Sequence, residues 1–135
     1  MEQITLRCPI AVKSKVTEAL KGKIIEDLNE RLRLVEQDLQ NIEFQAKRMM
    51  SEQAKMDAQG LISLRAQVEQ EKQKRLNFKA EVTAKLKDAE KLEIGAEISQ
   101  GTMEQTVTVS VGDDLNALMN TEILLEDGKI VAIRQ

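Results

Sequence analysis

The sequence lacks the side chains on which most catalytic and metal sites depend. Its 135 residues include no histidine, no tryptophan, no tyrosine and a single cysteine. Histidine is the commonest general base near neutral pH and the commonest metal ligand, so its absence weighs against acid–base and zinc chemistry. The chain also has no glycine-rich phosphate loop, cysteine pair or Gly-x-Ser-x-Gly motif. We therefore predict a protein that is not an enzyme, with no catalytic residue, cofactor or metal.

Other absences bear on the compartment. The lone Cys8 cannot form an intrachain disulfide, which favours a reducing environment. Because no histidine could activate it, we interpret Cys8 as a buried strand thiol rather than a nucleophile. No run of about 18 apolar residues occurs, and the N-terminus lacks the basic and apolar regions of a signal peptide. The expectation is a cytoplasmic protein without a membrane segment.

What the chain does contain is charge, at 32% of residues, with apolar residues at helical spacing. Steps of four and three from Leu28 to Met56 pass through nine positions, of which eight are apolar. A second series runs from Leu61 to Leu92, out of phase with the first by one residue. Sustained heptads of this kind predict a coiled coil. The phase change at Gly60 predicts two helices joined by a turn near residues 60–63.

An antiparallel hairpin of these helices allows a specific register. If the numbers of facing residues add to 124, five of the eight layers pair two apolar residues. Gln53 then lies opposite Glu71, and Ala46 lies opposite the larger Phe78. The Gln53–Glu71 layer is either a polar device that fixes the register or a place where Glu71 simply reaches solvent.

Both ends of the chain have strand-like patterns. Ile4, Leu6, Ile10 and Val12 alternate around Pro9, which predicts an edge strand with a break. Thr17 is the expected N-cap of the first helix. After Leu92 the period changes to two, most clearly in residues 106–111. The C-terminal region therefore contributes further strands.

The last two strands flank Asp127-Gly128, a strong signal for a two-residue hairpin turn. This hairpin pairs Glu126 with Lys129 and, further along, Leu124 with Val131. Apolar residues then occupy both of its faces. We infer that it is central in a small curled β-barrel, or that its second face meets the helices or another chain. The candidate interaction residues of that second face are Leu124, Val131 and Ile133.

The predicted fold class is therefore α+β, in which a long antiparallel helical hairpin (coiled coil) protrudes from a small β head built from N- and C-terminal strands. The expected division is residues 1–16 for the N-terminal part of the head, 17–92 for the hairpin and 93–135 for the C-terminal part of the head. Residues 93–135 contain two basic and eight acidic side chains. That part is consequently a poor phosphate binder.

Two further clusters have competing interpretations. Asp113 and Asp114 resemble a metal or acid–base pair, but we interpret them as helix caps because an apolar run follows and no other ligands are near in sequence. The second helix has a basic face that could follow a nucleic-acid backbone. Acidic residues interleave with it and aromatic residues for base stacking are scarce, so a solvated helix face is favoured. The candidate residues of the basic face are Arg65, Lys72, Lys74 and Lys79.

The C-terminal motifs carry a resemblance. Val111-Gly112-Asp113, Thr121-Glu122-Ile123 and Asp127-Gly128-Lys129-Ile130, together with the Thr17-Glu18 helix start, resemble the YlqD-type family of small uncharacterised bacterial proteins. The family offers no catalytic or binding residues to carry over to this chain. Some relatives are encoded near ribosomal-protein and ribosome-maturation genes, so the resemblance also implies a possible role near RNA or ribosome assembly.

Three functional hypotheses follow from the sequence. The first is a non-catalytic interaction module that presents its hairpin to a protein partner or to a second copy of itself. The second is an RNA or ribosome-associated accessory factor that uses the basic face. The third is a holdase that resembles prefoldin in joining a β body to helical arms. The absence of reactive side-chain clusters and the long apolar seam favour the first.

Overall fold

A computed structural model describes all 135 residues of the chain. It divides into two compact units. The sheet unit is Met1–Gly22 with Leu92–Gln135, and the helical unit is Lys23–Lys91. A four-stranded sheet drawn from both chain ends and a hairpin of two long helices confirm the predicted α+β fold. The elements are β1 (Gln3–Lys15), α1 (Glu18–Ala54), α2 (Ala58–Glu90), β2 (Glu97–Ser110), α3 (Leu115–Met119), β3 (Glu122–Glu126) and β4 (Lys129–Arg134).

The sheet is open, with the strand order β2-β1-β3-β4. β1 pairs with β2 antiparallel along its whole length and with β3 in parallel, and β3 pairs with β4 antiparallel. The predicted barrel is therefore wrong, because β2 and β4 are free edges and four strands are too few to close around a filled interior. The terminal hairpin is likewise not central, since β4 is one of the two edges.

Pro9 lies within a continuous strand, so the predicted break in an edge strand is also wrong. β1 is paired on both sides, but β3 pairs only with residues 11–14. The Ala11 amide donates to the Thr121 carbonyl at 3.0 Å, away from β2. Pro9, two residues earlier, has the same orientation. Its missing N–H would therefore point away from β2 at a place where β3 does not pair with the strand, so no ladder hydrogen bond is lost.

The β3–β4 turn has the chemistry expected from the sequence. Asp127 and Gly128 both have positive φ, of 50° and 84°, as a primed two-residue hairpin turn requires. The pairing of Glu126 with Lys129 is confirmed, but a bulge follows it. Leu124 consequently pairs with Ala132, and the predicted pairing of Leu124 with Val131 is wrong. An extra residue in one strand shifts every later pair by one.

The two chain ends are joined by backbone hydrogen bonds around Val16. The Val16 amide donates to the Ala96 carbonyl at 2.7 Å, and the Gly95 amide donates to the Val16 carbonyl at 2.8 Å. Gly95 has a φ of 93°, which favours glycine there. The Val16 side chain is buried at 1% exposure, as is Cys8. The expected buried thiol is therefore confirmed.

The turn between α1 and α2 lies at residues 55–57, not at 60–63. Asp57 is the N-cap of α2, and its carboxylate accepts hydrogen bonds from the Gln59 and Gly60 amides at 3.0 and 3.1 Å. Gly60 therefore lies in the first turn of α2 rather than after the end of α1. The prediction failed because a glycine between two periodic segments was interpreted as a C-terminal cap, while the capping aspartate three residues earlier was overlooked.

Because the turn lies at residues 55–57, the observed register of the hairpin also differs from the predicted one. Lys72 Nζ lies 3.2 Å from Glu43 Oε1, and Lys79 Nζ lies 3.6 Å from Glu36 Oε1. Both pairs have numbers that add to 115, so the predicted sum of 124 is wrong. The Gln53–Glu71 layer does not form, since Gln53 packs against Gly60 on α2.

The interface between the helices buries few side chains, three on α1 and two on α2. Leu28, Val82 and Ala89 form its buried cluster, with Ile24, Ile25, Leu32 and Leu86 packed against them. On α1 the less exposed positions follow the predicted heptad from Leu28 to Ala46. On α2 they include Lys72, Lys79 and Leu86, each one residue after the predicted Glu71, Phe78 and Lys85. The aliphatic stems of the two lysines therefore lie along the interface while their ammonium groups reach glutamates of α1.

Candidate interaction surfaces

Most of the predicted basic face is neutralised within the helical unit. Lys72 and Lys79 form the salt bridges to α1 described above, and Lys74 Nζ lies 3.5 Å from Glu71 Oε1 on its own helix. Only Arg65 among the four candidate residues has no salt bridge. The structure therefore leaves one unpaired cation where the sequence suggested a basic face.

The candidate residues of the terminal hairpin do not share one face. Leu124 is buried at 5% exposure and pairs with Ala132. Ile133 pairs with Ile123, so it points to the opposite side of the sheet from Leu124. Ile133 is 70% exposed, and Val131, the bulge residue, is 49% exposed. The exposed apolar surface here is thus limited to β4, the edge strand.

A charged cleft of about 670 Å³ lies in the sheet unit. Lys13 Nζ lies 2.9 Å from Glu122 Oε1, and Arg134 bridges the two glutamates, with Nη1 2.8 Å from Glu97 Oε1 and Nη2 3.0 Å from Glu122 Oε2. The four side chains come from all four strands and share one face of the sheet, as the strand register requires. Two cations and two anions leave the network without net charge.

The chemistry of this network is that of a cross-strand clamp. Hydrogen bonding from Lys13, with a contribution from Arg134, holds the pKa of Glu122 below its usual range. Glu122 is therefore unsuited to donate a proton at neutral pH. The hydrogen bond to Glu97 likewise raises the pKa of Arg134. The Arg134 Nε is buried without a hydrogen-bond partner.

The sequence alone did not predict this network. Glu122 and Arg134 face each other only because of the bulge in β4, and Glu97 was not assigned to a strand. A bulge is difficult to place from sequence when both strands are apolar on both faces. The one available signal was the opposite charge of Glu122 and Arg134 at the two ends of the hairpin.

A groove, here called the side groove, runs between α1 and α2 along one side of the helical unit. Its first part has a volume of about 290 Å³ and includes Leu34, Asp38 and Phe78. Its second part, of about 200 Å³, includes Ile42 and Met49 together with residues of the first half of α2. Ile42 follows Asp38 by four residues, as neighbours on one helix face do. The two parts therefore follow one another along the same side of α1, over about 27 Å from residue 31 to residue 49, and they meet where Arg75 of the first part pairs with Glu71 of the second at 2.8 Å.

Large apolar side chains stand at the mouth of the side groove. Leu34 is 47% exposed, Met49 is 48% exposed and Phe78 is 45% exposed. At its base lie the buried side chains of Val35 and Ala46, at 3% and 5% exposure. The predicted packing of Phe78 between the helices opposite Ala46 is wrong, and the ring instead lines the open groove. The surface therefore has exposed apolar walls and a buried base.

Comparisons with known proteins place the chain in a family. The family model described as "YlqD protein" matches residues 4–134. The chain belongs to the YlqD family. A crystal structure of a protein of unknown function from Synechococcus sp. WH 8102 is similar to this YlqD-family chain, with 20% identity and a TM-score of 0.78 over 98% of this chain and 95% of the other. That likeness supports the fold. No curated protein matches the chain significantly.

Other features of this YlqD-family chain have local structural roles. Asp114 is the N-cap of α3 and accepts a hydrogen bond from the Ala117 amide, as predicted. The neighbouring Asp113 does not cap α3, so that part of the prediction is wrong; its carboxylate instead accepts a hydrogen bond from the Ser110 amide at 2.8 Å. None of its helices has an apolar stretch long enough to cross a membrane.

Proposed function

We propose that this YlqD-family protein is a non-catalytic interaction module whose helical hairpin binds protein through the side groove. The observation that carries the proposal is the exposure of Leu34, Met49 and Phe78 beside the buried Val35 and Ala46. A hairpin that only joined the two parts of the sheet unit would need a seam and no apolar groove beside it. Contiguous exposed apolar surface is typical of a docking site.

The shape of the groove supports a helical occupant. Two parallel walls of side chains about 27 Å long match a helix of roughly 18 residues at 1.5 Å per residue. Helices that dock in this way present apolar anchors at intervals of three and four residues. The groove walls also carry charges of both signs, including Asp38 and Arg75, which would orient such a helix.

RNA binding receives less support from the structure. A phosphate backbone is bound through unpaired lysine and arginine side chains, and three of the four candidate cations already pair with glutamates. Exchanging these salt bridges for phosphate contacts would remove the cross-helix pairs of Lys72 and Lys79. RNA binding is therefore the alternative that the photo-crosslinking experiment must distinguish from protein binding.

Photo-crosslinking in native cells tests the proposal. A benzophenone side chain at position 49 or 78 should form a discrete protein adduct. The matched control is position 40, an exposed glutamine about 200° around α1 from Asp38, which should give none. The adducts should survive nuclease treatment and joint neutralisation of the four basic residues.

Two results would contradict the proposal. Equal adducts at all three positions would show that the groove has no special role. Adducts that disappear with nuclease, together with binding lost on neutralising Arg65, Lys72, Lys74 and Lys79 and steeply weakened by salt, would favour the RNA hypothesis.

A further inference from the structure

The first part of the side groove carries two charges that lack partners within the chain. Arg31 and Asp38 both line it, and neither forms a salt bridge. Their neighbours on α1 behave differently, since Arg33 pairs with Glu30 at 2.7 Å and Glu36 pairs with Lys79. Within this stretch of helix, the charges that face the groove are therefore the ones left unpaired.

The spacing of these charges is symmetric about an apolar centre. Arg31 and Asp38 are seven residues apart, two helical turns or about 10.5 Å, and so lie on the same face. Leu34 and Val35 lie midway between them. Along the α1 wall of the groove the order is therefore a cation, an apolar pair and an anion, while Arg75 on the α2 wall is already paired with Glu71. This order is self-complementary, because a two-fold rotation about the centre places the cation of one copy against the anion of the other.

We propose that this patch binds the same patch of a second copy, with the two α1 helices antiparallel across a two-fold axis at Leu34 and Val35. Arg31 of each copy then pairs with Asp38 of the other, as an isologous interface requires. Leu34 packs against its counterpart, and the exposed Phe78 covers it from α2. The inference rests on the proposed function, since it names a second copy as the occupant of this part of the groove.

The charges also select the orientation. A parallel arrangement would bring Arg31 against Arg31 and Asp38 against Asp38, and juxtaposed like charges disfavour binding strongly. Six residues line this part of the groove, whereas a standard stable interface uses roughly 20–30 residues from each partner. The dimer is therefore concentration-dependent, and its ion pairs make it weaker at high salt.

Charge reversal tests the proposal on the purified full-length protein. Sedimentation equilibrium should show a reversible monomer–dimer equilibrium at low salt. Arg31→Asp alone and Asp38→Arg alone should each weaken dimerisation by at least about tenfold, since each places like charges opposite one another. The double variant that exchanges the two charges should recover dimerisation to within a few-fold of the original chain.

Mixing provides the decisive measurement. One single variant carries two anions in the patch and the other carries two cations, so an equimolar mixture of Arg31→Asp and Asp38→Arg should form heterodimers although neither dimerises well alone. The control Lys47→Asp changes an unpaired cation about 160° around α1 from Arg31 and should leave dimerisation unchanged. Circular dichroism of each variant checks that the helices remain folded.

The outcomes separate this inference from the proposed function. A wild-type chain that stays monomeric up to several hundred micromolar would overturn the inference, as would a mixture that fails to associate. If either result occurs while positions 49 and 78 still form site-specific adducts with another protein, the groove is a protein-binding site with a different occupant. If those adducts are also absent, the proposed function fails as well.

Discussion

The Thr17 hydroxyl donates a hydrogen bond to the Asp127 carboxylate at 2.6 Å, joining residues 110 positions apart in the sequence. The same Thr17 oxygen accepts from the Leu20 amide at 3.1 Å and so caps α1, as the sequence predicts. One hydroxyl therefore connects the start of the first long helix with the β3–β4 turn, inside the sheet unit.

We expect Thr17→Ala to lower the free energy of unfolding by about 1–2 kcal/mol, because it removes an N-cap and leaves the Asp127 carboxylate without that donor. Thr17→Ser retains the hydroxyl and should lose much less. Urea denaturation measures both. The control Thr106→Val changes an exposed strand threonine and should have little effect. Equal stability of the alanine and serine variants would contradict the linking role.

Two glycines should respond in opposite directions to substitution by alanine. Gly22 is exposed within α1, and a Cβ added there would meet nothing within 4 Å. Gly22→Ala should therefore stabilise the protein by roughly 0.5–1 kcal/mol through helix propensity. Gly128 also has open space around it, but its φ is 84°. Gly128→Ala should destabilise the protein, because alanine pays a steric penalty in that conformation.

Thermal and urea unfolding measure the change in stability of each glycine variant relative to the original chain. Since both sites have room for the methyl group, packing does not distinguish them and only backbone conformation does. A stabilising Gly128→Ala would show that the turn tolerates a change of conformation. A destabilising Gly22→Ala would show that the N-terminal part of α1 needs its glycine.

Local chemistry explains which parts of the fold were predictable from sequence. Thr17, Asp114 and the Asp127-Gly128 turn depend on side chains within a few residues, so their roles could be assigned without knowledge of the fold. The two chain ends could be assigned to one sheet because the pattern of the intervening segment predicts a helical hairpin, which returns the chain to its starting point. The apolar heptad of α1 was likewise visible, since its period persists over several turns.

Features that depend on pairing between distant segments were not predictable in the same way. Interpreting Gly60 as the cap of α1, instead of Asp57 as the N-cap of α2, changed the sum of paired residue numbers by nine, from 115 to 124. The observed register places Lys72 and Lys79 along the interface, where an apolar pattern does not predict them. Similarly, one bulge at Val131 decided which residues of β4 share a face. The side groove was not predicted, because the spacing of Phe78 alone assigns it to the apolar seam. In the structure the aliphatic stem of Lys79 occupies that seam position.

The observed hairpin register can be tested by exchanging charges across the helices. Glu43→Lys alone and Lys72→Glu alone should each lower the melting temperature slightly, and the double exchange should restore it. The coupling should be below about 1 kcal/mol, as for most exposed ion pairs, and should decrease with added salt. In the register that sums to 124, Glu43 would face Glu81 instead, and the double exchange would restore nothing. A double-mutant cycle at low and high salt distinguishes the two registers.

The charge network of the sheet predicts a specific response to acid. The pKa of Glu122 lies below its usual range in the folded chain, mainly because Lys13 donates a hydrogen bond to its carboxylate. In the unfolded chain the carboxyl regains the ordinary pKa of a glutamate. Protonation therefore favours the unfolded state. The stabilisation is fully present above the unfolded pKa and is lost as the pH falls through the lowered folded pKa.

Glu122→Gln should accordingly be less stable than the original chain at pH 7, and the difference should shrink as the pH falls below about 4, where the glutamate is also becoming neutral. Urea denaturation at a series of pH values measures it. Glu126→Gln is the matched control, since Glu126 lies on the same strand, is exposed and forms no salt bridge. A stability difference for Glu122→Gln that stays constant from pH 7 to pH 3 would mean that the Lys13 and Arg134 contacts do not act through the charge of Glu122.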